Sequence, residues 1–225
     1  MKNTNRMDVK KLCMLALLSA AAYVVMFLSK QIPVNVAGFL NFDLKDVIIG
    51  IAGFIFGPLA AAGVSVLVSL IEMVTISTTA GWGFLMNVLS TCSFVCTASF
   101  IYRKRRTIFG ALLGLVIGAL LMTAVMLLWN YLITPIYMGQ PREVIAAMLV
   151  PVFLPFNLIK AGINGTLMFL LYKPVVGALR KARLVEASES GAPAARGRRL
   201  GIVVVAAVVL VTFILLALVL AKIIC

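Results

Sequence analysis

A lysine inside an apolar stretch is the residue best placed to do chemistry in this chain. Lys160 lies within a long hydrophobic run, with Asn157 three residues before it and Asn164 four after. That spacing puts all three on one face of a helix. A lysine at the centre of a membrane-spanning helix costs about 2.5–3.5 kcal/mol to insert, so such residues face a bundle interior or a pathway. One cation beside two neutral amides suits a ligand with polar edges; the competing account is an interhelical hydrogen-bond cluster that only holds helices together. Glu72 is the only acid between Asp46 and Glu143. It is either the counter-ion of Lys160 or another wall of the same cavity, and both remain open. Asn130, between Trp129 and Tyr131, suits a polar aromatic ligand, although those aromatics equally fit the belt at a membrane interface. Asn87 reads as a packing hydrogen bond.

Other chemistry is excluded. The chain has no histidine, hence no His-Ser or His-Cys catalytic pair and no H-E-x-x-H zinc site. Its cysteines are Cys13, Cys92, Cys96 and Cys225. Cys92 and Cys96 share a helix face, but two thiols without further soft ligands make a poor metal site, and they read as small packing residues. No disulfide framework is visible. No G-x-x-x-x-G-K-[ST] phosphate loop is present, so ATP hydrolysis by that route is excluded. An intramembrane enzyme would need Ser, Cys or Lys chemistry without an evident base. No catalytic residue and no metal ligand is therefore assigned.

The elements that must position Lys160 are membrane spans. Of 225 residues, 63% are hydrophobic and 12% charged, against about a quarter charged in an average soluble domain. The mean hydropathy is +1.14. A net charge of +13 raises the question of nucleic acid, but its placement answers it. Fifteen of the twenty Lys and Arg fall in three short segments: residues 2–11, the run Arg103–Arg106, and residues 173–199. That is the pattern of the positive-inside rule, with contact to anionic lipid, and not of a nucleic-acid surface.

The first apolar run, Leu12 to Ser29, is long enough to span and reads as a retained helix rather than a cleaved signal. A second run, beginning after Asp46, is broken from a third at Gly57-Pro58. It comprises only about 10–12 residues, roughly 15–18 Å, so its flanks or its neighbours must complete the crossing. The third span ends near Ile76, the fourth runs from Trp82 to Tyr102, and the fifth from Ile108 to Tyr131. The sixth runs from Val144 to Tyr172 with Pro151 and Pro155 inside. A seventh, Leu200 to Ala221, follows a polar linker and looks lipid-facing. The expected fold is an all-α integral membrane protein, a six-helix bundle plus an additional C-terminal helix. Its parts are a cytoplasmic N-terminus (1–11), a substrate-binding membrane domain (12–185), a flexible basic linker (186–199) and the extra helix (200–225). With the N-terminus inside, all three basic segments are cytoplasmic and the C-terminus is outside. Small-x-x-x-small pairs occur at Ala16/Ala20, Gly53/Gly57 and Gly110/Gly114/Gly118, each a candidate helix contact.

The stretch Phe39-Leu40-Asn41-Phe42-Asp43-Leu44-Lys45-Asp46, followed by Gly50 to Pro58, resembles the substrate-binding S components of energy-coupling factor (ECF) vitamin transporters. Leu127–Tyr131 with Thr134-Pro135, and Pro155–Lys160, are similar to the riboflavin-specific branch. The resemblance covers residues 8 to 185. It implies a six-helix, non-enzymatic subunit of a bacterial cell membrane. That subunit would bind riboflavin as transported ligand, not as cofactor, and deliver it with one T component and two ATPases. Matched to the family pattern, Asn157 and Lys160 contact flavin, Asn130 is the fifth-helix Asn, and Leu40, Asn41, Phe42 and Asp43 lie in a covering loop. Ala16 and Ala20 match a surface for the T component. With Asn164 and Glu72 these complete the candidate site. The seventh helix and its linker depart from the six-helix pattern. An S component for flavin nucleotides or another vitamin, or a stand-alone facilitator, is the alternative.

Overall fold

The computed structural model describes residues 9–182 and 196–222. Most of the linker expected over 186–199, the basic residues Lys2 and Arg6, and Cys225 lie outside them. The first helix, α1 (Val9–Lys30), has 22 residues, about 33 Å at 1.5 Å per residue, which matches a hydrocarbon layer of about 30 Å. A small hairpin follows, β1 (Asn35–Val36) pairing antiparallel with β2 (Leu40–Asn41). Ala37 and Gly38 turn it with positive φ.

The short second helix is real: α2 (Lys45–Phe56) has 12 residues, nine of them buried. It packs against α1, α3 (Pro58–Thr75) and α9 (Leu154–Lys181). Neighbouring helices therefore shield it, and its flanks do not extend it. Gly57, at φ +96°, makes the joint, and Pro58 opens α3, where its missing N–H costs nothing.

The fourth span is one continuous run of 26 residues made of α4 (Ala80–Thr91), a π-helical turn at Cys92–Cys96 and α5 (Thr97–Arg105). Within the turn, the Cys96 thiol donates to the Pro58 carbonyl at 3.4 Å, tying it to the start of α3. Helix α6 (Ile108–Leu132) runs back, capped at its start by the Thr107 hydroxyl, which accepts from the Gly110 N–H. Short helices α7 (Thr134–Met138) and α8 (Arg142–Met148) lead to a second π-helical turn, Leu149–Phe153, and then α9 (Leu154–Lys181). Pro151 lies in that turn, where a residue without an N–H is tolerated. The sixth span thus starts earlier and ends later than expected, carrying Pro174 within its last turns. The last helix is α10 (Arg196–Leu220).

Six helices among the described residues are long and apolar enough to cross a membrane, α2 being too short to count. The protein is a multi-pass membrane protein. Its core centres on α2 and is filled by Ala22, Ile49, Ile51, Val68, Phe94, Met122 and Met168. The glycine repeat on α6 is an internal seam. A Cβ at Gly114 would lie 2.7 Å from the Ala98 carbonyl oxygen, and one at Gly118 2.5 Å from that of Phe94. At the end of the bundle that carries Arg103–Arg106, the rings of Phe54, Tyr102 and Tyr172 cluster. The Phe54 and Tyr102 centroids are 4.4 Å apart, and the Tyr102 hydroxyl donates to that of Tyr172 at 3.2 Å. Helix α10 is peripheral: most side chains over residues 201–220 are exposed. It attaches to α9 through Phe213, whose ring sits where a Gly162 side chain would be, and through Ala217. Thr212 is exposed and donates to the Val208 carbonyl.

Candidate functional site

The hairpin end of the bundle gathers the charge that the apolar spans cannot hold elsewhere. Four helices converge there. Helix α1 supplies Lys30 from its last turn, α2 Lys45 and Asp46 from its first, and α3 Glu72. Asp43 stands just before α2, and α9 supplies Lys160. All but Lys30 are nearly fully buried. The set contains three acidic side chains and three lysines, and every lysine is paired with a carboxylate. A buried charge persists only when it is paired and hydrogen-bonded.

The pairing corrects one of the two sequence readings of Glu72. Lys160 Nζ donates to Asp43 Oδ2 at 2.7 Å, and Glu72 is not its partner. Glu72 instead accepts from Lys45 Nζ at 3.0 Å and from Lys30. The reason is position: Glu72 lies near the end of α3, beside the last turn of α1 and the first of α2. Lys45 also approaches Asp43, at 3.9 Å, and this links the two pairs into one network. Asp46 accepts from the Thr91 hydroxyl at 2.6 Å. Burial alone would raise the Asp43 carboxyl, but the Lys160 ammonium and then that of Lys45 outweigh it, holding the group below the ordinary carboxylate range.

Asn157, Lys160 and Asn164 do share one buried face of α9. Asn164 Nδ2 donates to the Asp43 carbonyl at 2.9 Å and to that of Lys160 at 3.1 Å. Asn157 Nδ2 donates to the Phe153 carbonyl at 2.7 Å. The hairpin and residues 42–44 after it lie over this face. The Phe39 ring meets Phe153 with centroids 6.0 Å apart, and Phe42 meets Phe156 at 4.8 Å. Leu40 is half-buried in β2, and Asn41 points to the exposed side. Asn130 is buried but tied within its own segment: Nδ2 donates to the Met126 carbonyl, and Oδ1 accepts from the Thr134 hydroxyl at 2.8 Å. No hydrogen bond among the described residues joins it to the Lys160 group. Asn87 is half-buried and makes none of the expected packing bonds among them.

Three buried polar atoms at this end have no partner: Asp43 Oδ1, Asn164 Oδ1 and Trp129 Nε1. Leaving such a group unsatisfied costs about 1–3 kcal/mol. A ligand with donors toward the two oxygens and an acceptor toward the indole would relieve that cost. Sequence reasoning passed over Lys30, Lys45 and Asp46 as site residues. Their signal was a pair of opposite charges, Lys45-Asp46, directly abutting an apolar run too short to span.

Residues 10–172 match the family model described as ECF transporter, substrate-specific component. The riboflavin transporter FmnP of Bacillus subtilis is 30% identical over 190 residues, which cover 79% of this chain and 100% of that protein. The riboflavin transporter RibU of Staphylococcus aureus is 29% identical over 186 residues, covering 80% and 97%. A solved structure described as the S component of a bacterial ECF transporter superposes with a TM-score of 0.65 at 30% identity. It covers 76% of this chain and 98% of the other. Helix α10 lies beyond the stretch that the family model matches.

Proposed function

The chain belongs to the family of ECF transporter substrate-specific components, and we propose that it captures riboflavin at the outer face of a bacterial cell membrane and passes it inward with a T component and two ATPases. It is a transport subunit and not an enzyme. In this reading residues 12–185 form the substrate-binding domain, and residues 200–225 are an added helix joined by the basic linker. The N-terminus and the exposed run Arg103–Arg106 are cytoplasmic, which places the hairpin end outside.

The observation that carries the reading is the Lys160 group. A buried ammonium with Asn157 and Asn164 on its face, and unpartnered oxygens on Asp43 and Asn164 beside it, suits the donor–acceptor edge of an isoalloxazine ring. Phe39, Phe42, Phe153 and Phe156 supply apolar cover for the flat ring. Leu40 and Asn41 travel with the same covering hairpin, Asn130 and Trp129 line the neighbouring end of α6, and Glu72 holds Lys45 and Lys30 in place. Each of the three lysines already has a carboxylate partner. Among the described residues no buried cation is left unmatched for a phosphate, and this favours the uncharged vitamin over flavin nucleotides.

Titration of the detergent-purified chain with riboflavin tests the proposal. Saturable one-to-one quenching of flavin fluorescence is expected. A folded protein that neither carries nor quenches flavin, but binds another vitamin from a panel, would overturn it. The partner assignment has its own test. Ala16 and Ala20 lie exposed on one face of α1, open to a close-packed neighbouring helix. Replacing both with Trp is expected to leave riboflavin binding within about twofold, while uptake falls by at least tenfold through lost assembly, since small residues at such a contact set how closely helices approach. Unchanged uptake would remove these residues from the interface.

A further inference from the structure

The walls of α6, α9 and α10 enclose an apolar groove of about 740 Å³. Leu112, Val116 and Leu120 form one wall, Gly165 lies on the second, and Val205 and Val209 form the third. We propose that this groove holds an acyl chain of an anionic phospholipid of the cytoplasmic leaflet, its headgroup against the basic residues at the arginine end of the bundle.

Length, lining and charge point to this occupant. The groove follows α10 from Gly201 to Phe213, about 18 Å at 1.5 Å per residue, close to one leaflet's share of a hydrocarbon layer of about 30 Å. An extended acyl chain needs an apolar lining of that length and no polar partner, and the groove offers both. Helices α6 and α10 both begin at the same end, and α9 finishes there. Arg105 and Arg106 are exposed just before α6, and Lys181 is exposed at the end of α9. In sequence Arg196, Arg198 and Arg199 directly precede the first groove residue of α10. Basic pockets between helices on the cytoplasmic side are sites for anionic headgroups. Phe213, seated on Gly162, closes the far end and fixes the chain's depth.

The test is native mass spectrometry of the delipidated full chain, titrated with dioleoyl phosphatidylglycerol or with dioleoyl phosphatidylcholine. One adduct that survives collisional stripping is expected, favouring phosphatidylglycerol by at least about fivefold, the attraction of a single basic residue. Ala119→Phe with Ala206→Phe fills the groove and is expected to remove that adduct while thermal unfolding stays cooperative. Arg105→Gln with Arg106→Gln is expected to lower the headgroup preference and keep the adduct. Should the filled variant not fold, a phosphatidylglycerol with a photoreactive acyl chain serves on the wild type, with labels expected in residues 112–120, 158–169 and 201–213. Equal binding of both lipids, an adduct that persists in the folded filled variant, or labels scattered around the whole belt would overturn the proposal. So would cross-linking of position 206 to another protein chain in the assembled transporter.

Discussion

Lys160→Met is expected to abolish flavin capture and to destabilise the protein by about 3–5 kcal/mol, because it strands a buried carboxylate. Lys160 Nζ and Asp43 Oδ2 are 2.7 Å apart, and both side chains are nearly fully buried. Asp43→Asn alone strands the ammonium instead, at a similar cost. The double variant, Lys160→Met with Asp43→Asn, removes both charges and is expected to recover most of the stability, since a buried pair replaced by neutral groups of like size is often near neutral. It is not expected to recover binding. Thermal unfolding in detergent reads the first quantity, and riboflavin quenching reads the second. A double variant that binds riboflavin like the wild type would reduce Lys160 to a structural residue. The pH dependence follows from the lowered Asp43 carboxyl. The folded group titrates below its unfolded value, so the stability it contributes is full at neutral and mildly acidic pH. That stability is lost only as pH falls below the ordinary carboxylate range.

Gly114→Val with Gly118→Val is expected to break the seam between α5 and α6. The added Cβ atoms would meet main-chain carbonyl oxygens at 2.7 and 2.5 Å. Backbone cannot rotate away as the tip of a side chain can, so relief requires the helices to separate. Overpacking of this kind costs about 1–3 kcal/mol per site. It would also disturb Phe94, which is fully buried inside the π-helical turn. The expected result is a broadened, lowered thermal transition and aggregation in detergent. Gly63 on α3 is the control, since a Cβ there meets nothing within 4 Å. Gly63→Ala should be neutral or stabilising by up to about 1 kcal/mol through helix propensity alone. Equal behaviour of the two substitutions would mean that the seam is loosely packed.

Spans were legible because hydropathy and length act locally. Gly57-Pro58 marked the break before α3, and the spacing of Asn157, Lys160 and Asn164 placed them on one face whatever surrounded that face. The π-helical turn at Cys92–Cys96 left no such mark, because it arises from how α4 and α5 fit their neighbours. The hairpin was missed for a related reason: two-residue strands carry no period, and Ala37 at positive φ is an unremarkable residue in sequence.

Composition, charge placement and helical period by themselves determined that this is an all-α membrane protein with a polar face inside its sixth span. Tertiary structure alone decided what that face meets. Lys160 and Asp43 are 117 residues apart, and nothing local distinguishes Asp43 from Glu72 as its partner. Packing chose Asp43 by setting the start of α2 against α9, and gave Glu72 to the lysines of α1 and α2. The same packing made a 12-residue helix viable in the bilayer by surrounding it. A charge in a low-dielectric interior is stabilised by the counter-charge within a few ångströms, and only the fold sets that distance.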